Sequence, residues 1–117
     1  MIHIQKQEWS KQTRYLLTTE GGSVQLSIYK EPQDEYNVKA YIYCLWVDPG
    51  FRRKGIAKAL LDAAEELARR EGVDAVFLDW YEPDTPRWML HHYFSRGYND
   101  IAFGRDNALM KLTFKSE

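Results

Sequence analysis

A single cysteine, Cys44, stands in the 117 residues, so no internal disulfide can brace the chain and no second thiol stands at metal-ligand spacing. A reducing compartment, the cytoplasm, is the expectation. Long hydrophobic runs are missing as well. The opening MIHIQKQEWS is too polar for a signal peptide, and nowhere do roughly 18 apolar residues follow one another, as a membrane span requires. The mature chain is therefore expected to be the whole chain, with no membrane partner. An excess of either charge is also absent: sixteen Lys and Arg face seventeen Asp and Glu, for a net charge of −1. No global positive field draws in nucleic acid, and any anion site must be local. Repeats, low-complexity tracts and Pro/Gly/Ser linkers do not occur, so residues 1–117 are read as a single domain.

Apolar residues make up 44% and charged residues 28% of the chain, the composition of a folded globular protein. RYLLTT (14–19) and SVQLSIYK (23–30) flank EGG and predict a hairpin. After the breaker stretch EPQDEYN, the run VKAYIYCLWV (38–47) reads as the longest strand. Strict alternation would put Val38, Ala40, Ile42, Cys44 and Trp46 on one face. From Gly55 to Arg70 the period becomes helical, with Ile56, Leu60, Ala63, Ala64 and Leu67 as the buried stripe. Glu65 with Arg69 and Glu66 with Arg70 are expected as i,i+4 pairs, and Gly72 suits the left-handed end. AVFLDWY (75–81) reads as a buried strand. TPRWMLHHYFSRG (85–97) reads as a second helix with Thr85 as N-cap, Pro86 as first helical residue and Gly97 as terminator. Short strands around 98–103 and 108–114, joined by GRDN, complete the order of antiparallel strands followed by β-α-β-α-β-β.

The stretch VDPGFRRKGIAKAL (47–60) has an unusual helix start. A helix leaves about four backbone N–H groups unpaired at its N-terminus, with a partial positive charge, and no side-chain cap is evident here. Gly55 removes a Cβ, Ala57 keeps the next outward position small, and Arg52, Arg53, Lys54 and Lys58 surround the spot with positive charge. A phosphate or pyrophosphate suits all of these features. Spacing excludes two familiar loops. Gly50 and Gly55 are spaced as in a P-loop, but Ile56 and Ala57 occupy the places of its Lys and Ser/Thr. Between Gly55 and Gly72 no further glycine completes a G-x-G-x-x-G.

Arg52-x-x-Gly55-x-Ala57, directly after the strand ending in Val47, resembles the R/Q-x-x-G-x-G/A loop of the GNAT superfamily of acyl-CoA-dependent N-acetyltransferases. Tyr93-Phe94-Ser95-Arg96-Gly97-Tyr98 is similar to that family's Y-x-x-x-G-F signature, and the elements between follow the family's order over about residues 38–114. The resemblance implies an α/β fold of the α+β type, with a mixed, mostly antiparallel sheet, helices packed on it and a shortened N-terminus. It also implies transfer of an acetyl group from acetyl-CoA, as co-substrate and without a metal, to a primary amine. By position, the backbone of Leu45 and Val47 would hold the pantetheine arm. The loop Arg52, Arg53, Lys54, Gly55, Ile56, Ala57 and Lys58 would cradle the pyrophosphate, and Tyr93 would be the acid that protonates the leaving thiolate.

Three departures from the family pattern accompany the match. Residues 37–47 contain no carboxylate where the family often has a Glu, so Asp79, Glu82, His91 and His92 are candidate bases, a water chain to solvent is another route, and none is assigned. His91 and His92, about 100° apart on a helix, cannot serve jointly as metal ligands. Pro86 stands where the family commonly has an Asn that contacts the cofactor. Residues 1–13 supply little more than one strand, which leaves the acceptor side open or completed by a second copy of the chain in a homodimer, and suits a peptide amine as well as a small molecule. A non-catalytic acyl-CoA sensor of the same fold is the alternative that these departures allow.

Overall fold

The computed structural model describes residues 1–83 and 85–114. A seven-stranded sheet in the order β1-β2-β3-β4-β5-β7-β6 forms its body. The strands are β1 (His3–Glu8), β2 (Gln12–Thr19), β3 (Gly22–Gln33), β4 (Val38–Val47), β5 (Ala75–Tyr81), β6 (Asn99–Phe103) and β7 (Asn107–Thr113), with helices α1 (Ile56–Arg70) and α2 (Arg87–Arg96). Only β4 and β5 run parallel, as a strand-helix-strand crossover through α1 requires. Every other pairing is antiparallel, so the sheet is the mixed, mostly antiparallel one expected. No helix among the described residues is long and apolar enough to cross a membrane.

Both helices lie on the same side. Leu17, Leu26, Ile42, Leu78, Trp80 and Met110 of the sheet form one buried cluster with Leu60, Leu61, Ala64 and Ala68 of α1 and Met89, Leu90 and Tyr93 of α2. The α1 stripe is thus centred on Leu60, Leu61, Ala64 and Ala68. Ile56, Ala63 and Leu67 of the expected stripe sit at its partly buried margin. On the other side a smaller cluster, Val38, Ala75 and Phe77 against Tyr29, Tyr36, Tyr41 and Leu109, has no helix over it.

Four local expectations are corrected. Strand β3 continues through Glu31, Pro32 and Gln33, and the break falls only at Asp34–Asn37, where Asp34 and Asn37 take positive φ and the Asp34 carboxylate accepts the Tyr36 N–H at 2.8 Å. Alternation in β4 fails at Cys44, which has φ 55 and is exposed. Between the pairs Ser23↔Trp46 and Gln25↔Tyr43, β4 advances one residue more than β3, which is a β-bulge. Past it the faces exchange, so Leu45 packs on the core and Trp46 is 53% exposed. Helix α2 begins one residue later than expected. Pro86, with φ −59 and ψ 152, is its N-cap in place of Thr85, and no side chain among the described residues caps it.

The fourth correction concerns Glu65. It does not pair with Arg69, although Glu66 and Arg70 do pair, at 3.2 Å. Instead Arg96 of α2 donates to both Glu65 oxygens, at 2.6 and 3.1 Å, and to Asp62 at 2.7 Å, while the Tyr98 hydroxyl donates to Glu65 at 2.9 Å. Burial alone would raise the Asp62 carboxyl, but hydrogen bonds from Lys58 and Arg96 overcome it and hold the group below its ordinary value. Arg69, free of Glu65, lies over the Phe114 ring at 4.8 Å.

With side chains only 10% and 14% exposed, Arg96 and Glu65 form a largely desolvated, hydrogen-bonded pair that ties α2 to α1. Removing one partner strands the other. Arg96→Leu is expected to lower stability by about 2–4 kcal/mol in urea denaturation, whereas Arg70→Leu, at an exposed pair, should change it by less than about 1 kcal/mol. Equal effects would show that the pair does not join the helices.

Candidate functional site

The site assembles where β4 leaves β5. The two strands are paired at Tyr41↔Phe77 and Ile42↔Leu78 only. Strand β5 runs on to Tyr81, fully paired with β7 on its other side, and β4 runs on to Val47, paired with β3. Beyond Ile42 and Leu78 the facing edges of β4 and β5 therefore have no partner in each other. An extended ligand could pair with the main chain there. Leu45 and Val47 lie on this open edge, both partly buried. Leu45 rests on the core, and the Val47 carbonyl accepts a bond from Arg52 Nε at 3.3 Å.

A 3₁₀ turn at Pro49–Phe51 then leads into the basic loop. Arg53 has φ 65 and Gly55 φ 78. Two left-handed residues this close bend the chain sharply, and turns of this kind are suited to binding anions through their N–H groups. From Arg53 through Lys58 no backbone N–H has a partner among the described residues. Helix α1 has no side-chain cap and no acidic residue in its first turn. Arg52 lies over the Trp46 ring at 5.6 Å, and Lys54 over the Phe51 ring at 5.3 Å. Arg52, Arg53 and Lys54 have no ion-pair partner among the described residues, whereas Lys58 is paired with Asp62 at 2.8 Å. Nothing lies within 4 Å of the place a Cβ on Gly55 would take. Glycine is thus required there by its φ, and the space above it is open.

Tyr93 faces the core from α2 with Met89 and Leu90, while its neighbour Phe94 is exposed. Its side chain is 5% exposed and has no hydrogen-bond partner among the described residues. Burial pushes its phenol up to about 12, against a smaller opposing effect of Arg96, so it is a neutral proton donor at ordinary pH. The Tyr-x-x-x-Gly-Tyr motif positions it. Gly97 ends α2 with φ 106, and the Tyr98 N–H closes the end on the Tyr93 carbonyl at 3.1 Å. Tyr98, 1% exposed and anchored on Glu65, packs its ring against Tyr93 at 5.9 Å.

The candidate bases are scattered. Glu82 is taken by Arg87 at 2.7 Å, and His91 is exposed on α2. His92 stands beside the Arg96–Glu65–Asp62 cluster, and burial and Arg96 lower its pKa. Asp79 alone among them is the first β5 residue past the last pair with β4, accepting the Tyr41 hydroxyl. Sequence reasoning missed Tyr41, whose place beside Asp79 depends on the register of two strands separated by a helix.

Residues 6–98 match the acetyltransferase (GNAT) family. A mycothiol acetyltransferase of Propionibacterium freudenreichii subsp. shermanii is 32% identical over 73 residues, which are 62% of this chain and 23% of that protein. The chain therefore spans about a quarter of that relative's length. In fold it is similar to the ribosomal-protein-S18-alanine N-acetyltransferase of Escherichia coli, with TM-score 0.72 and 18% identity over 94% of this chain and 74% of that one. It is also similar to a PaiA N-acetyltransferase of Thermoplasma acidophilum in complex with coenzyme A, with TM-score 0.68 and 18% identity over 89% of this chain and 62% of the other.

The two glycines around the loop should respond differently to a methyl group. Gly55→Ala meets no atom and pays only for its left-handed φ, about 1–2 kcal/mol, whereas Gly21→Ala adds to its φ of 83 a Cβ placed 2.3 Å from the Phe51 ring. Thermal unfolding should show the larger loss for Gly21→Ala. The reverse order would mean that the open space above Gly55 is not there.

Proposed function

Because the chain belongs to the acetyltransferase (GNAT) family, we propose that it transfers an acetyl group from acetyl-CoA to a primary amine. The observation that carries this reading is the run of unpartnered N–H groups from Arg53 to Lys58 at the end of a strand whose edge is open. A pyrophosphate fits the loop, with Arg52, Arg53 and Lys54 supplying charge, Gly55 leaving room and Ile56, Ala57 and Lys58 offering the N–H groups of the helix start. The pantetheine arm lies along the main chain of Leu45 and Val47, filling the place of the strand that β5 does not provide.

Acetyl-CoA supplies the activated thioester. The neutral amine forms the new N–C bond as the C–S bond breaks, and the thiolate takes a proton from Tyr93, whose buried phenol remains protonated across the neutral range. The proton lost by the amine passes toward solvent from the open side of the sheet, where Asp79 stands, and a proton from solvent restores the Tyr93 phenol, so that the cycle closes. The amine itself approaches from the face without helices.

A second reading, binding of acyl-CoA without turnover, draws on the absence of a carboxylate from β4 and on Pro86 in place of the family's Asn. Calorimetry with CoA and thiol release from acetyl-CoA with a panel of amines separate the two. Tyr93→Phe should lower kcat by roughly tenfold to a hundredfold with little change in CoA affinity, and unchanged turnover would remove Tyr93 from the mechanism. Gly55→Val should weaken CoA binding first. In the wild type no loss of activity attributable to Tyr93 ionisation should appear below about pH 11, since its raised pKa keeps the phenol protonated until alkali approaches 12.

A further inference from the structure

The helix-free face of the sheet carries a cleft of about 210 Å³, lined by Gln12, Arg14, Ser27, Tyr29, Tyr41 and Tyr43. Its floor is a cross-strand row. Arg14 pairs with Ser27, Ser27 with Tyr41, and Tyr41 with Phe77. Arg14 stands out within it. Its Nε is buried without a hydrogen-bond partner, and it makes no ion pair among the described residues, while the Trp9 ring covers its guanidinium at 5.1 Å. The contrast with Arg96, whose guanidinium meets two carboxylates, is one of supply. A partly desolvated guanidinium without an acceptor is costly, and an incoming anion relieves that cost.

The rest of the lining favours the same ligand. Tyr29 and Gln12 offer hydroxyl and amide donors, the buried Ser27 hydroxyl is hydrogen-bonded to that of Tyr43 at 2.9 Å, and no carboxylate among the described residues lines the cleft. Burial raises the Tyr29 phenol, which keeps it a donor. Across Tyr41, whose hydroxyl donates to Asp79, the cleft adjoins the Asp79 carboxylate at the mouth between β4 and β5. The face thus presents a cation at β2 and an anion at β5, three strand spacings across and two residues along, or roughly 16 Å apart along the backbone.

We propose that Arg14, with the hydroxyls of Tyr29 and Tyr43, the latter braced by Ser27, is a subsite for a carboxylate borne by the amine acceptor, several bonds from the amine that Asp79 draws to the mouth. The identification of the ligand as the acceptor rests on the acetyltransferase reading; the carboxylate subsite does not. A planar carboxylate matches the two-pronged guanidinium, and the spacing excludes an amine and acid on the same carbon from holding both ends at once.

The test is an amide NMR titration of the full chain with ε-aminocaproate, its neutral amide, and inorganic phosphate. The acid should shift the Arg14, Ser27 and Tyr41 signals saturably and bind about tenfold tighter than the amide, the worth of one charge-assisted contact. Arg14→Gln should abolish that difference and Arg14→Lys should restore part of it, with CoA affinity and signal dispersion as controls for folding. Equal binding of acid and amide, an acid preference that survives Arg14→Gln, or phosphate binding in place of the acid would overturn the subsite. Thiol release with the same pair of amines is read separately. Acid-selective binding without turnover would sink the acetyltransferase reading and leave the subsite, and turnover indifferent to the carboxylate would do the opposite.

Discussion

One extra residue in β4 organises everything around it. A strand that kept its pleat from Val38 to Val47 would turn Cys44 and Trp46 to the core and expose Leu45. The left-handed Cys44 reverses this, so the apolar residue stays inside while the strand bends. The pairing of β4 with β5 ends just before the bulge, at Ile42. Both the open edge offered to an extended ligand and the placement of the basic loop at its end descend from that bend. The loop adds its own constraint in Arg53 and Gly55, whose left-handed conformations lie within a run of N–H groups that have no partner among the described residues.

A second constraint acts from the helix side. Helix α2 is short, with no side-chain cap, and it gains its fixed position from Arg96 and Tyr98, which both reach Glu65 on α1. Tyr93 lies one turn before Arg96 and against the Tyr98 ring. The residues that recur as a signature around the candidate acid are therefore fasteners. Gly97 stops the helix, Tyr98 locks its end, and Arg96 joins it to the helix that begins at the basic loop. This buried cluster links the two halves of the candidate site.

What could be read from the sequence depended on how local the cause was. Helix α1, the hairpin at Gly21 and Gly22 and the uncapped helix start follow from periodicity and from residues within a turn of one another, and the structure has them all, whereas the mixed sheet was expected from the family resemblance alone. The exchange of faces in β4 was not legible, because a bulge is decided by pairing with β3 and leaves no mark in an alternating run of apolar residues. Glu65 was assigned to Arg69 by the i,i+4 rule, yet a guanidinium 31 positions away, held on a second helix, is closer and more buried. Asp79 was one of several candidate bases in the sequence, and only the register of β4 and β5 sets it apart. The Arg14 cleft is more distant still, since it draws on β2, β3 and β4 together, on a face that no helix among the described residues covers.

The two halves of the sheet, β1 to β4 and β5 to β7, meet at only two residue pairs, although α1 spans the join. Such a seam is where sub-global opening is cheapest, since each half keeps its own antiparallel pairing when the rungs between them break. Any ligand that completes the missing rungs binds the closed state alone, and its binding free energy is then added to folding stability as RT ln(1 + [L]/Kd), about 2.7 kcal/mol at a hundredfold excess over Kd. Amide hydrogen exchange along Tyr43–Val47 and Asp79–Tyr81 would therefore report occupancy of the gap. The incomplete pairing of β4 and β5 makes the fold itself a sensor of whatever lies between them.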